Sequence, residues 1–340
     1  MFMRKLLTHI AITTILISGS LLLTGGMVSC SGCGGNAGGE EQQAYQTNAP
    51  AFNTDSAYQY LKEQCSFGPR TMNSAAHDSC ADYLVKQFER FGAKVTLQHA
   101  LRPMYDGTQV RIRNIIASYK EAEHSRLMLC AHWDSRPWAD NDTDASRHKT
   151  PIDGANDGAS GVAVLLEVAR QIQLKAPELG IDLICFDAED CGTPQWVEDG
   201  EDHESTWCLG SQFWASAPHV PNYHARFAIL LDMVGGGTTE FCKEYFSVRS
   251  APAVVDKVWA RAQAAGFGEY FNNDMGSPIT DDHLQVMKLG IPCIDIIGSD
   301  RERSGFCRTW HTMADNVQNI DRSTLNAVGQ TILEVIYNEE

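Results

Sequence analysis

The stretch Ile181–Gly192, IDLICFDAEDCG, constrains this chain more than any other. Ile181 to Phe186 are nearly all apolar, and the run stops abruptly at Asp187, Glu189 and Asp190. A short apolar run without alternation predicts a strand covered on both faces. Such strands belong to folds in which helices sandwich a mostly parallel sheet, and ligands gather where the strands end. Adjacent acids at that place can divide labour, one binding a cation while its neighbour moves protons. A solvated acidic turn is the plainer reading, and this stretch alone does not separate the two.

Other strand ends bear on the choice. Leu127–Ala131 runs into His132 and Asp134, and Phe227–Leu231 ends in Asp232. A fourth strand, Pro292–Ile297, is followed by Phe306, Trp310 and His311. A Gly-rich turn, Asp153–Gly161, carries Asp157 and opens a helix whose apolar face is Val162, Leu165, Leu166, Ala169 and Ile172. Asp281-Asp282-His283 precedes a short helix, 284–289. Further helices are expected at 56–66, 75–91, 209–217, 251–266 and 322–337. The first should present Tyr58, Leu61 and Cys65 on one face. Residues 94–98 and 110–119 alternate as strands, antiparallel at one edge. The fold class that follows is α/β: an open, mostly parallel twisted sheet flanked by helices, with antiparallel edge strands. Residues 193–206 form a polar, acidic insertion in which Trp196 stands alone.

The N-terminus reads as an address. Arg4 and Lys5 precede an apolar core, Ile10 to Leu23, which predicts a signal segment over 1–29. That core is short and rich in Ser and Thr for a membrane span. Met27-Val28-Ser29-Cys30 resembles a bacterial lipoprotein processing site, with Cys30 acylated after cleavage. The expected protein is exported and periplasmic, lipid-anchored to a bacterial membrane, with the outer membrane the favoured one. Plain secretion with Cys30 in a disulfide is the alternative. Residues 30–51, rich in Gly, Asn and Gln, read as a flexible tether, and 52–340 as a single domain. A net charge of −16 argues against nucleic acid and against a basic membrane-binding face. Of the eleven cysteines, Cys130, Cys185 and Cys293 sit inside apolar strands and read as packed thiols. Cys191 and Cys208 flank the polar insertion and are the best disulfide pair. No CxxC pair is matched by a second, which removes a thiolate zinc site.

The groups at strand ends are then His132, Asp134, Asp157, Glu189, Asp190, Asp232, Asp281, Asp282, His283 and His311. Singly, each reads as a capping or hydrogen-bonding residue. A sheet brings its strand ends together, and a mixed His and carboxylate cluster without thiolate suits a catalytic zinc with an open position.

The motifs that carry a resemblance are Ala131-His132-Trp133-Asp134-Ser135, Gly154-Ala155-Asn156-Asp157-Gly158, Phe186-Asp187-Ala188-Glu189-Asp190, Leu230-Leu231-Asp232, Asp281-Asp282-His283 and Trp310-His311-Thr312-Met313. In that order they resemble the zinc aminopeptidase superfamily M28, and more closely its glutaminyl-peptide cyclotransferase branch, from about Cys65 to the C-terminus. The resemblance implies one Zn2+ held by Asp157, Asp190 and His311, with Glu189 as the acid/base. It places Asp232 and Asp281 beside Glu189 in an acidic network that holds a shared proton. Trp196, Phe306 and Trp310 become the substrate-binding aromatics, and His283 a structural residue. Animal cyclases carry Glu as the second acid of the pair; the shorter Asp190 would draw the metal toward its strand or shift the backbone. His132 and Asp232 match positions that bind a second metal in two-zinc aminopeptidases. The implied reaction is cyclisation of N-terminal Gln of peptides and proteins to pyroglutamate with release of ammonia. A two-zinc aminopeptidase and a non-catalytic surface binding protein on the same fold are the rivals.

Overall fold

The computed structural model describes residues 47–199, 203–302 and 305–339. Two helices open it, α1 (Thr54–Cys65) and α2 (Ala75–Arg90), followed by strands β1 (Lys94–Pro103) and β2 (Gln109–Tyr119). Next come β3 (Arg126–His132), α3 (Ala159–Leu174), β4 (Gly180–Phe186), α4 (Leu209–Ser216) and β5 (Phe227–Asp232). The last third adds β6 (Thr239–Lys243), α5 (Tyr245–Ser250), α6 (Pro252–Ala264), β7 (Phe271–Met275) and α7 (Asp282–Met287). It closes with β8 (Cys293–Ile297), β9 (Ser299–Asp300) and α8 (Arg322–Tyr337). The described residues all belong to one compact unit. No helix among them is long and apolar enough to cross a membrane.

Six strands form the main sheet in the order β1-β2-β4-β3-β5-β8. β4, β3, β5 and β8 are mutually parallel; β2 joins β4 antiparallel, and β1 closes the edge as β2's antiparallel partner. Successive residues of the central strands face opposite sides. Leu127, Leu129, Ile181, Leu183, Ile229 and Leu231 pack beneath α1, α2, α3, α6 and α8. Met128, Cys130, Ile184, Phe186, Ala228 and Leu230 pack against Trp214 of α4 and Val286 of α7. Every residue of β3, β4 and β5 is buried, which is why their runs read as continuous rather than alternating.

Three features depart from expectation. The buried face of α1 is Ala57, Tyr60, Leu61 and Gln64, one position off the stripe through Tyr58 and Cys65. A second sheet, β7-β6-β9, lies beyond the main one and had no sequence signal, since its strands are short and mostly polar. Residues 47–51, counted with the tether above, are held down: Gln171 Nε2 donates to Ala51 O (3.1 Å), Lys175 Nζ to Asn48 O (2.6 Å) and Gln330 Nε2 to Pro50 O (3.3 Å). The signal segment and Cys30 lie outside the described residues.

Candidate active site

The three acids after β4 take different work. Asp187 is a buried anchor: it accepts from Arg113 N (2.6 Å) and pairs with His77 Nε2 (2.8 Å). Ala188 then turns the chain in the left-handed region (φ 54), a strained geometry for a residue with a side chain. The turn aims the N–H groups of Glu189 (3.0 Å) and Asp190 (3.1 Å) at the two oxygens of Asp134. Asp134 at the end of β3 therefore fixes the backbone of the acid pair at the end of β4.

Asp157 is set by its Gly-rich turn. Gly158 (φ 99) passes so near β3 that a Cβ there would lie 2.4 Å from Asp134 O. Asp315 caps the turn from the far side, accepting from Asn156 N (2.7 Å) and Asp157 N (3.1 Å).

These supports bring the expected ligands together. His311 Nε2 lies 3.0 Å from Asp190 Oδ1 and 3.6 Å from Asp157 Oδ2. Ligand atoms of Asp157, Asp190 and His311 all fall within 4.8 Å of one another. Tetrahedral zinc with bonds of about 2.0–2.2 Å needs ligand atoms roughly 3.3–3.6 Å apart. Asp157 Oδ2 and Asp190 Oδ2 are buried without a hydrogen-bond partner, as oxygens meant for a cation would be. The residues present therefore fit a zinc ion. A second donor set shares Asp157: His132 Nε2 is 3.0 Å from Asp157 Oδ1 and 3.1 Å from Asp232 Oδ1. The shorter Asp190 still reaches His311, and Arg136 Nη1 holds its carbonyl at 3.1 Å.

Arg136 and Asp140 were not foreseen. Arg136 is fully buried and donates to both carboxylate oxygens of Asp140 (3.2 and 2.6 Å), to Gly192 O (3.0 Å) and to Thr193 O (3.4 Å). Its guanidinium sits 4.5 Å from the Trp207 ring centroid. Asp140 faces His311 Nδ1 at 3.4 Å, the carboxylate-to-imidazole support that orients metal-binding histidines. Burial pulls the His311 imidazole down, but Asp190 and Asp140 outweigh it and hold the ring near 9. Burial, with the Asp157 charge behind it, pushes Asp190 up to about 6.

Glu189 stands against a second set of acids. Its ligand atoms lie within 4.8 Å of Asp281. Burial is the main cause that lifts its carboxyl well above the ordinary range, and the charges of Asp281, Asp190 and Asp282 add to it against His132. Asp281 is raised well above its ordinary value by burial and by Asp232 and Asp282. Glu189 and Asp281 lie close enough that they give up their protons as a set.

A cavity of about 550 Å³ opens over this cluster, lined by Glu189, Asp232, Asp281, His311, Ile279 and three aromatics: Trp207, Phe306 and Trp310. Trp310 stacks on His311 (4.0 Å between rings), and Phe306 packs on Trp310 (4.7 Å). Trp196 is not among the lining residues. It lies edge-on to Trp138 and is 38% exposed. Trp207, at the end of the polar insertion, holds the wall, and its place beside Cys208 and Leu209 was the available signal. Cys191 and Cys208 are free thiols rather than a disulfide. Their sulfurs turn to different acceptors, Ala188 O (3.6 Å) and Glu189 Oε1 (3.4 Å). His283 is fully buried near Glu244 (3.4 Å) and Asp295 (3.7 Å), away from the ligand set.

The sequence profile of peptidase family M28 matches residues 114–336, which spans β2 to α8 and every ligand named above. The chain belongs to peptidase family M28. Zinc is the metal this family implies, and the buried His and Asp groups suit it. The chain is 56% identical to Bacteroides thetaiotaomicron glutaminyl cyclase, solved with N-acetylhistamine bound; the match covers 86% of this chain and 100% of that one, with a TM-score of 0.84. A leucine aminopeptidase precursor from the same organism is 55% identical over 87% of this chain and 100% of that one, also with a TM-score of 0.84. Bos taurus glutaminyl-peptide cyclotransferase is 27% identical over 257 residues, 66% of this chain and 65% of that protein. The chain thus spans just under two thirds of the bovine relative's length.

Proposed function

We propose that this M28 protein cyclises N-terminal glutaminyl residues of peptides and proteins to pyroglutamate, releasing ammonia. The observation that carries the reading is the acid pair Glu189 and Asp281, with the Asp232 charge acting on Asp281, at the floor of an aromatic-walled cavity. The high identity to the Bacteroides cyclase supports it.

Asp157, Asp190 and His311 would hold one zinc ion, which supplies polarisation of the γ-amide carbonyl. Trp207, Phe306 and Trp310 hold the Gln side chain folded back, so that its own α-amine faces the carbonyl carbon of the side-chain amide. A free α-amine has a pKa of about 7.7–8.0, within reach of a carboxylate raised by burial. Glu189 takes the proton as the new C–N bond forms, then returns it to the departing amide nitrogen, which leaves as ammonia. Asp281, its carboxyl raised by burial and by the Asp232 charge, keeps a proton near Glu189. The aromatic walls limit water at the carbonyl.

A two-zinc aminopeptidase is the second reading, favoured by the His132, Asp157 and Asp232 donor set and by the aminopeptidase name of one neighbour. Ammonia release from a Gln peptide, measured beside free amino acid release, tests the choice. For location, we propose export with a lipid anchor at Cys30, on the motif Met27-Val28-Ser29-Cys30.

A further inference from the structure

The Glu189 carboxyl has one hydrogen-bond donor among the described residues, and it is a thiol: Cys208 Sγ lies 3.4 Å from Oε1. The loops that carry the pair are stitched together. Cys208 N donates to Glu189 O (3.0 Å) and Leu209 N to Ala188 O (3.0 Å). Cys208 O in turn accepts from Gln212 N (2.9 Å) and Ser211 Oγ (3.1 Å), tying the residue to the first turn of α4. The backbone of Cys208 is therefore fixed at both its N–H and its carbonyl.

The backbone at Cys208 is itself informative. It sits in the left-handed region (φ 57, ψ 34), where glycine or asparagine is at ease and a branched or bulky side chain is strained. Ala188, the partner of Leu209 across the stitch, is also left-handed (φ 54). A glycine at 208 would relieve strain of about 1 kcal/mol. The side chain kept there is completely buried and points at the one group whose orientation the reaction depends on.

We propose that Cys208 is a positioning residue for Glu189, its S–H holding Oε1 so that the other oxygen faces the substrate amine. This rests on Glu189 being the acid/base of the proposed reaction. The thiol suits the task chemically. Burial, with the Glu189 charge beside it, keeps the thiol well above its ordinary range, so it remains a donor. A thiol is also a weak donor, which orients a carboxylate without much stabilising its charged form.

The test compares Cys208→Ala, Cys208→Gly and Cys208→Ser with wild type, using kcat and KM on a Gln peptide together with zinc content and Tm. Cys208→Ala should lower kcat by about three- to tenfold with KM unchanged, the range a single weak hydrogen bond supplies. Cys208→Gly removes the thiol while relieving the backbone, so its kcat should fall equally even if its Tm matches wild type. Cys208→Ser keeps a donor and should recover most of kcat. Cys80→Ala, which empties a buried thiol site in α2 far from the pocket, should lose stability but not kcat. Wild-type kcat in Cys208→Ala and Cys208→Gly would overturn the proposal. So would a loss in both that serine does not repair. A wild-type enzyme that fails to cyclise Gln peptides would overturn the reaction instead, which separates the two failures.

Discussion

Replacing Arg136 by Met tests whether the ligand cluster depends on its buried support. The change keeps the side chain's length but removes every donor. Asp140 then loses its two contacts at 3.2 and 2.6 Å, and the carbonyls of Asp190 and Gly192 lose theirs at 3.1 and 3.0 Å. Breaking a buried ion pair by removing one partner costs about 3–5 kcal/mol, since the remaining charge stays buried. At roughly 2–4 °C per kcal/mol, Tm should fall by about 6–20 °C. Asp140 also faces His311 Nδ1, so zinc affinity should drop by about 10- to 100-fold, as it does when such supports are lost. The double variant Arg136→Met/Asp140→Leu removes both charges and should recover part of the Tm without recovering zinc affinity. Calorimetry of the metal-free and zinc-loaded protein, with chelator competition for affinity, reads both quantities. A single variant that melts within about 2 °C of wild type and binds zinc as tightly would refute the reasoning.

Glu189→Gln should retain zinc, because Asp157, Asp190 and His311 are untouched, yet lose roughly 10²- to 10⁴-fold in rate; steady-state kinetics beside metal analysis decides it. Burial pushes Glu244 up, but His283, the N–H of Phe246 and the hydroxyl of Ser247 outweigh it and hold the carboxyl near 2. Its stabilising contribution is therefore present above the ordinary glutamate value and lost as pH falls toward 2. Glu244→Gln should flatten the decline of Tm with pH below about 4.5, and an unchanged slope contradicts that assignment. Cys30→Ala should release the full-length protein from membranes or block its processing; a mature chain that is unacylated and begins elsewhere ends the anchor proposal.

The acids after β4 and β5 were legible because buried apolar runs stop abruptly there, whereas the ligand set Asp157, Asp190 and His311 came from the family resemblance. Asp157, Glu189, Asp190, Asp232, Asp281 and His311 all line one cavity. The supports left no such mark. Arg136 and Asp140 lie just past the His132–Ser135 motif, where nothing in the local sequence distinguishes a buried guanidinium from a solvated one. Trp207 was passed over for Trp196 because isolation in a polar loop marks exposure as readily as a pocket role. The second sheet escaped notice because β6, β7 and β9 are two to five residues long and pair across the chain. Cys191 and Cys208 suggested a disulfide by flanking one insertion, but spacing does not report where sulfurs point.

The most direct test of the account is product analysis on two peptides that differ only at their first residue. If the α-amine is the nucleophile, the Gln peptide keeps all its residues and loses ammonia, about 17 mass units from its composition, while the Leu peptide is returned intact. Mass spectrometry after incubation with the zinc-loaded enzyme should show that shift for Gln and none for Leu. Free Leu, with no pyroglutamyl product from the Gln peptide, would contradict the account and assign the same residues to an aminopeptidase.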